Sequence, residues 1–228
     1  MKKIGMVGGL GPESTVDYYK MINSQVYART GHQPDIVIDS IDMYQMLGYV
    51  NEKKYDLLVT MLLASVNSLK KAGADFVFIS SNTPHVVYDE LVKRTDCNII
   101  SIVESTCKEI QRLHLKKPFL TGTKFTMKEN FYGKAAQKYG FEFKVPDNEQ
   151  IEKIHSVIFP ELENGIIIPE KKQLYVQIIN EELERGAIDS VVLGCTELPI
   201  MIKQNDVPVK IINTVECHIK EIVEELFS

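Results

Sequence analysis

The chain has 228 residues, of which 44% are hydrophobic and 25% charged, a composition of ordinary globular proteins and not of disordered, collagenous or disulfide-stapled ones. With 31 acidic and 26 basic side chains its formal net charge is -5, which gives no overall attraction to nucleic acid or to an anionic membrane. Its apolar runs, such as 61–66 with Ser65 inside it, fall well short of the roughly 20 residues of a membrane span, and the stretch before Gly8 is too short for a signal-peptide core. A cytoplasmic protein is expected.

In chain order, short apolar runs rich in β-branched residues alternate with stretches of helical period. Strands are expected at 4–7, 36–41, 76–80, 99–103, 118–121, 191–193 and 209–212, and helices at 16–27, 55–71, 104–114, 127–139, 170–185 and 215–227. Within 55–71, Leu58, Met61, Leu62, Ser65, Val66 and Leu69 follow i, i+3, i+4 spacing and form one core-facing stripe. Strands that are apolar on both faces fit parallel sheets covered by helices on each side, an α/β fold in which ligands gather at the carboxyl ends of strands. The loops after strands are therefore where chemistry is sought.

An offset of 114 residues places Gly8 on Gly122, Tyr18 on Tyr132, Asp75 on Asp189, Val77 on Val191, Ile79 on Leu193 and Ser81 on Cys195. Gly73-Ala74 falls on Gly186-Ala187 one residue early, which reads as an insertion at Ile188. A duplicated chain would set two similar halves face to face across a pseudo-twofold cleft, with Ser81 and Cys195 on opposite walls.

Three strand-ending loops carry candidate chemistry. The first, Gly8-Gly9-Leu10-Gly11-Pro12-Glu13-Ser14-Thr15, leads into a helix and lets backbone N–H groups approach an anion, although its spacing is neither G-x-G-x-x-G nor that of a P-loop. A tight turn with Ser14 or Thr15 near the helix start is the structural alternative. The second, Ser80-Ser81-Asn82-Thr83-Pro84-His85, offers side-chain and backbone donors for a carboxylate, or an ordinary helix cap. His85 lies one turn from Ser81, but a serine–histidine pair also needs an orienting acid that the sequence does not identify. The third, Gly194-Cys195-Thr196-Glu197-Leu198-Pro199, puts a cysteine at a strand-to-helix turn, where N–H donors are expected to lower its pKa from about 8.5. The other cysteines, Cys97, Cys107 and Cys217, read as small buried hydrophobes, and no Cys-x-x-Cys or paired-histidine spacing suggests a zinc site.

Taken together, Ile4 to Thr15, Ser81-Asn82-Thr83-Pro84-His85, Gly122-Thr123-Lys124-Phe125-Thr126-Met127 and Leu193-Gly194-Cys195-Thr196-Glu197-Leu198 resemble, in order and over nearly the whole chain, the aspartate/glutamate racemase family. The resemblance implies two similar Rossmann-like α/β/α halves with parallel four-stranded sheets, 1–98 plus 212–228 and 99–211, and an active-site cleft between them. It implies racemisation of an amino acid, most often aspartate or glutamate, without pyridoxal phosphate or metal, by two cysteines on opposite sides of the α-carbon. The matching positions here are Cys195 and Ser81, a serine where the family carries its first cysteine. A serine hydroxyl is a poor general base near neutral pH, though it can donate a proton or relay one through water. By motif position, Asn82, Thr83 and Thr196 bind the substrate carboxylate and ammonium, with Gly9, Thr123, Thr126 and Tyr44 also assigned to substrate. Where the family often places arginine this chain has Met43 and Tyr44, and Glu163-Asn164-Gly165 stands where it often has lysine. His218 matches a C-terminal family segment and is assigned to the core or a helix cap. The resemblance also favours a homodimer, with Tyr and Met residues around 43–49 and the helix 55–71 as a face or as core.

Two other readings stay open. Decarboxylation followed by protonation needs only Cys195 as proton donor and an oxyanion hole, which the glycine loop and Ser81-Asn82-Thr83 could build. A carboxylate-binding protein without turnover would keep the pocket and lack the second base.

Overall fold

The most apolar short runs become the inner strands of two separate parallel sheets. The computed structural model describes all residues, Met1–Ser228, in two units: Met1–Ile102 with His218–Ser228, and Val103–Cys217. In the first unit, β1 (Ile4–Gly8), β2 (Ile36–Ser40), β3 (Phe76–Ile79) and β4 (Ile99–Ile100) form a four-stranded sheet of order β2-β1-β3-β4. Every residue of β1 and β3 is buried, as inner strands of a doubly covered parallel sheet require, whereas β2 is an edge strand with Ile38 exposed. In the second unit, β5 (Pro118–Thr121), β6 (Ser190–Leu193) and β7 (Lys210–Asn213) form a three-stranded sheet of that order.

The expected fourth strand of the second sheet is thus missing. Its place beside β5 is taken by a single parallel bridge between Phe119 and Lys144, where Lys144 N–H donates to Pro118 O at 2.9 Å and Leu120 N–H to Lys144 O at 2.9 Å. The flanking residues Glu142 and Pro146 do not extend the pairing; Pro146 lacks the N–H that a longer ladder would use. Because Ile99–Ile100 pairs with β3 and Lys210–Asn213 with β6, the units divide after residues 102 and 217 rather than after 98 and 211.

The 114-residue offset reappears in the hydrogen bonds of each unit. Ile4 is in register with Phe76, and Pro118 with Ser190. Lys3 N–H donates to the Asp75 carboxylate at 2.6 Å, and Lys117 N–H to that of Asp189 at 2.9 Å. At the other end of the strands Ser80 N–H donates to Val7 O at 3.0 Å, and Gly194 N–H to Thr121 O at 2.8 Å.

Helices between strands follow the patterns of their residues, with three differences from expectation. The stretch 99–103 is only briefly a strand, since Ile102, Val103, Thr106, Cys107 and Ile110 are buried on one face of the helix Ile102–Arg112. The helix expected over 127–139 is two, Lys124–Lys128 and Phe131–Lys138, because Glu129 is extended (φ -84°, ψ 135°). The helices Met43–Asn51 and Asn148–Ile158 were not anticipated, yet both carry start signals: Asp42 accepts the N–H groups of Tyr44 and Gln45, and Asp147 with Gln150 forms a reciprocal capping box. In the helix Tyr55–Lys71 the expected stripe is buried, apart from a half-buried Met61. No helix is long and apolar enough to cross a membrane.

The first unit's core includes a buried polar group. His218 is fully buried, its ring edge-on to Tyr18 and Phe78, and burial lowers its pKa to about 3, so it is neutral. Its Nε2–H donates to Ile100 O at 3.0 Å, leaving Nδ1 to accept the Tyr18 hydroxyl at 2.8 Å.

Two glycines test this account of backbone packing. A Cβ on Gly194 would lie 2.7 Å from Thr121 O, whereas one on Gly48, inside the helix Met43–Asn51, meets nothing within 4 Å. Gly194→Ala is expected to lower unfolding free energy by about 1–3 kcal/mol, and Gly48→Ala to raise it by about 0.5–1 kcal/mol, both read from urea denaturation midpoints.

Candidate active site

In the first unit the glycine-rich loop is tied down by hydroxyls. Gly9 has φ 79°, and a Cβ there would lie 2.4 Å from Ile41 O, so this position demands glycine. Its N–H donates to Thr15 Oγ1 at 2.9 Å, while Ser14 Oγ donates to Ser80 O at 2.9 Å. Gly9 therefore shapes the loop and its amide is already engaged; the cap position of the helix Pro12–Thr30 is Gly11, with Pro12 in the first turn.

After β3, Ser81 and Thr83 are half-buried and Asn82 buried, at the start of the short 3₁₀ turn Thr83–Val87. The Asn82 side chain does not cap that turn, contrary to the ordinary-cap alternative. His85 is buried and stacked on Tyr88, and its Nδ1–H donates to Ser81 O at 3.0 Å. Burial lowers its pKa to about 4 and keeps it neutral. It holds the loop backbone and forms no serine–histidine pair through the Ser81 hydroxyl. Tyr44, at the start of the helix Met43–Asn51, is 78% exposed.

In the second unit Cys195 follows β6 and is buried. Its Sγ–H donates to Glu197 Oε2 at 2.8 Å, and Thr196 Oγ1 donates to Glu197 Oε1 at 2.7 Å, so one carboxylate receives both neighbours. Burial, then the Glu197 charge and its hydrogen bond, push the thiol well above its ordinary pKa; the Glu197 backbone N–H acts in the opposite direction and is outweighed. The lowering expected from a helix start is thereby overturned. The helix that follows, Leu198–Met201, is only four residues long, while the carboxylate stands against the sulfur. Thr123 caps the helix Lys124–Lys128 and its hydroxyl lies 3.1 Å from that of Thr126, which is buried against Gly194. Thr126 thus packs the loop after β6, and half-buried Thr123 and Thr196 are the hydroxyls nearer the surface.

Glu197 was legible as part of the motif but not as the thiol's partner: two residues apart in a turn, its side chain folds back on Cys195. Tyr175 was not singled out either; it is fully buried, with its hydroxyl 2.6 Å from Thr121 Oγ1 at the end of β5. Both depend on contacts that spacing does not reveal.

The fold and loops define a parallel α/β protein with a buried thiol and a carboxylate at the end of an inner strand. Residues 7–222 match the Asp/Glu/Hydantoin racemase family. A broad specificity amino-acid racemase, RacX of Bacillus subtilis, is 26% identical over 96% of this chain and 96% of its own. The structure of an aspartate racemase homologue from Pyrococcus horikoshii superposes with a TM-score of 0.87 at 33% identity, covering 100% of both chains. A candidate Asp/Glu racemase structure from Yersinia pestis reaches 0.93 at 29% identity, again over 100% of both chains. The chain belongs to the Asp/Glu/hydantoin racemase family, whose amino-acid racemases work without pyridoxal phosphate.

Removing the Glu197 charge should lower the thiol's pKa. In Glu197→Gln, the pH midpoint for iodoacetamide alkylation of Cys195, followed on its own peptide by mass spectrometry, is expected to move below that of the wild type; an unmoved midpoint would mean that burial alone sets it.

Proposed function

We propose that the protein racemises a free amino acid by removing and returning the α-proton, with Cys195 as the acid–base group at one face of the α-carbon and Ser81 at the other. The observation that carries this reading is the Cys195–Glu197 hydrogen bond at the end of β6, in a chain of the racemase family. Its thiol is held protonated, so in the resting state Cys195 is a proton donor. To act as base it passes its proton to the Glu197 carboxylate, and the resulting thiolate takes the α-hydrogen and leaves an α-carbanion. The carbanion takes a proton from the other face, from the Ser81 hydroxyl or from water beside it. In the reverse sense the α-hydrogen leaves on the Ser81 side, to the serine oxygen or a water there, and the thiol supplies the new proton; proton exchange with solvent then returns Glu197 to carboxylate, Cys195 to thiol and Ser81 to hydroxyl.

Asn82, Thr83 and Thr196 are proposed to hold the substrate carboxylate and ammonium. Thr123 is assigned beside them, with Gly9 and Thr126 shaping their loops. Aspartate and glutamate are the substrates that the resemblance supports, and the RacX relative supports a wider range. A cytoplasmic homodimer completes the proposal; Tyr44, exposed on its helix, is available to such a face or to substrate.

The test is NMR of α-proton exchange in D₂O with both enantiomers of a panel of amino acids. Cys195→Ala is expected to lower exchange by about 10²-fold or more, and Ser81→Cys to raise inversion. Exchange unaffected by Cys195→Ala would overturn the mechanism. Turnover of a malonate-type acid with loss of CO₂, without amino-acid exchange, would favour the decarboxylase reading.

A further inference from the structure

Resting on the racemase reading, the residues just before Cys195 show how its side chain is aimed. Gly194 N–H donates to Thr121 O at 2.8 Å, and the Thr121 hydroxyl reaches the same strand on the other side of Leu193, donating to Val192 O at 2.8 Å. Thr121 lies opposite Leu193 in the register of β5 and β6, so it grips β6 through both its main chain and its side chain. Leu193 O in turn accepts the Thr214 hydroxyl at 2.9 Å. Residues 192–194 are therefore each bonded to a fully buried threonine.

The Thr121 hydroxyl has one more neighbour, the Tyr175 hydroxyl at 2.6 Å. A hydroxyl carries a single hydrogen, and that of Thr121 is directed to Val192 O, which can only accept; Tyr175 must therefore donate to Thr121 Oγ1. The relay from Tyr175 through Thr121 to Val192 O has one direction and ends on the strand that presents the thiol. Tyr175 sits on the helix Pro169–Glu184, fully buried in the same apolar cluster as Val191, Leu193 and Cys195. A phenolic hydroxyl placed among apolar side chains has to be desolvated, and phenylalanine would fill the same space without that cost. What the hydroxyl adds is the bond that fixes the orientation of Thr121. In the first unit the 114-residue offset puts Val7 at the place of Thr121, and Ser80 uses its own hydroxyl, donating to Val7 O at 3.1 Å. The tyrosine relay thus belongs to the unit that carries the thiol.

We propose that Tyr175 is a positioning residue for Cys195, acting through the Thr121 hydroxyl to hold residues 192–194 and so to aim the thiol at Glu197 and at the substrate α-carbon. The experiment measures kcat and KM for α-proton exchange in D₂O, on the amino acid that the wild type turns over fastest, in Tyr175→Phe, Thr121→Val, Thr121→Ser and the Tyr175→Phe/Thr121→Val double variant. Tyr175→Phe and Thr121→Val are each expected to lower kcat by about tenfold with KM unchanged, because a displaced acid–base group slows proton transfer without weakening substrate binding. The double variant should be no slower than Thr121→Val, since both changes cut one relay. Thr121→Ser, which keeps the hydroxyl, should retain most of the wild-type kcat.

Alkylation of Cys195 by iodoacetamide gives a readout that needs no turnover. A thiol no longer held against Glu197 feels its carboxylate less, so the pH midpoint in Tyr175→Phe should fall below that of the wild type, and Tyr175→Phe should cause no further fall in the Glu197→Gln background. An unmoved midpoint in Tyr175→Phe overturns the proposal, as do kcat losses that multiply in the double variant or an equal loss in Thr121→Ser and Thr121→Val. Absence of exchange from every amino acid in the wild type brings down the racemase reading instead, and the alkylation midpoint still decides whether Tyr175 positions the thiol.

Discussion

The hydrogen bond from Gly194 N–H to Thr121 O, at 2.8 Å, fixes where the second unit's reactive loop begins. It extends the parallel pairing of β5 and β6 by one residue past the strands, and the missing Cβ of Gly194 allows that approach. Cys195 is the first residue free of the ladder, so its side chain is placed by the sheet rather than by a flexible loop. The first unit repeats the device: Ser80 N–H donates to Val7 O, and Ser81 is the next residue. Rigid strands end in the same register in both units, and each then presents a short hydroxyl or thiol side chain.

What differs is the electrostatic setting. Cys195 is enclosed and leans on a carboxylate, and both effects favour the neutral thiol. A group held protonated gives up a proton readily only when the acceptor is a strong base, as an α-carbanion is; to remove a proton it needs an adjacent acceptor of its own. In the proposed racemisation Glu197, 2.8 Å from the sulfur, is that acceptor. Ser81 has no such partner through its hydroxyl, since His85 is neutral and bonded to its carbonyl. The two positions are alike in backbone and unlike in acid–base strength.

Much of the fold was readable because parallel strands covered on both faces must be apolar on both: 4–7, 76–80, 118–121 and 191–193, all buried, stand out from the helices between them. The duplication was readable for the same reason, since Asp75 and Asp189 cap equivalent strand starts. Elements that rely on partners were harder. Ile102 and Val103 have the composition of a strand but bury a helix face, and Lys144 contributes one bridge where a strand was expected. The motifs pointed to Ser81, Asn82, Thr83, Cys195 and Thr196 as candidates, whereas the direction of the Cys195 pKa shift was misread. Spacing suggested helix-start donors; the tertiary fold supplied burial and the Glu197 carboxylate instead.

The central claim is that the two proton-transfer positions are unequal, and enantiomer-resolved exchange tests it most directly. The enantiomers of an amino acid are equally stable in solution, so their kcat/KM for inversion must be equal, and asymmetry can show only in exchange with retention. In D₂O, the wild-type protein should wash out the α-hydrogen of one enantiomer, the one facing Cys195, several-fold faster than it inverts it, and the other enantiomer should show no such excess. Equal ratios of retention to inversion for both enantiomers would contradict the account.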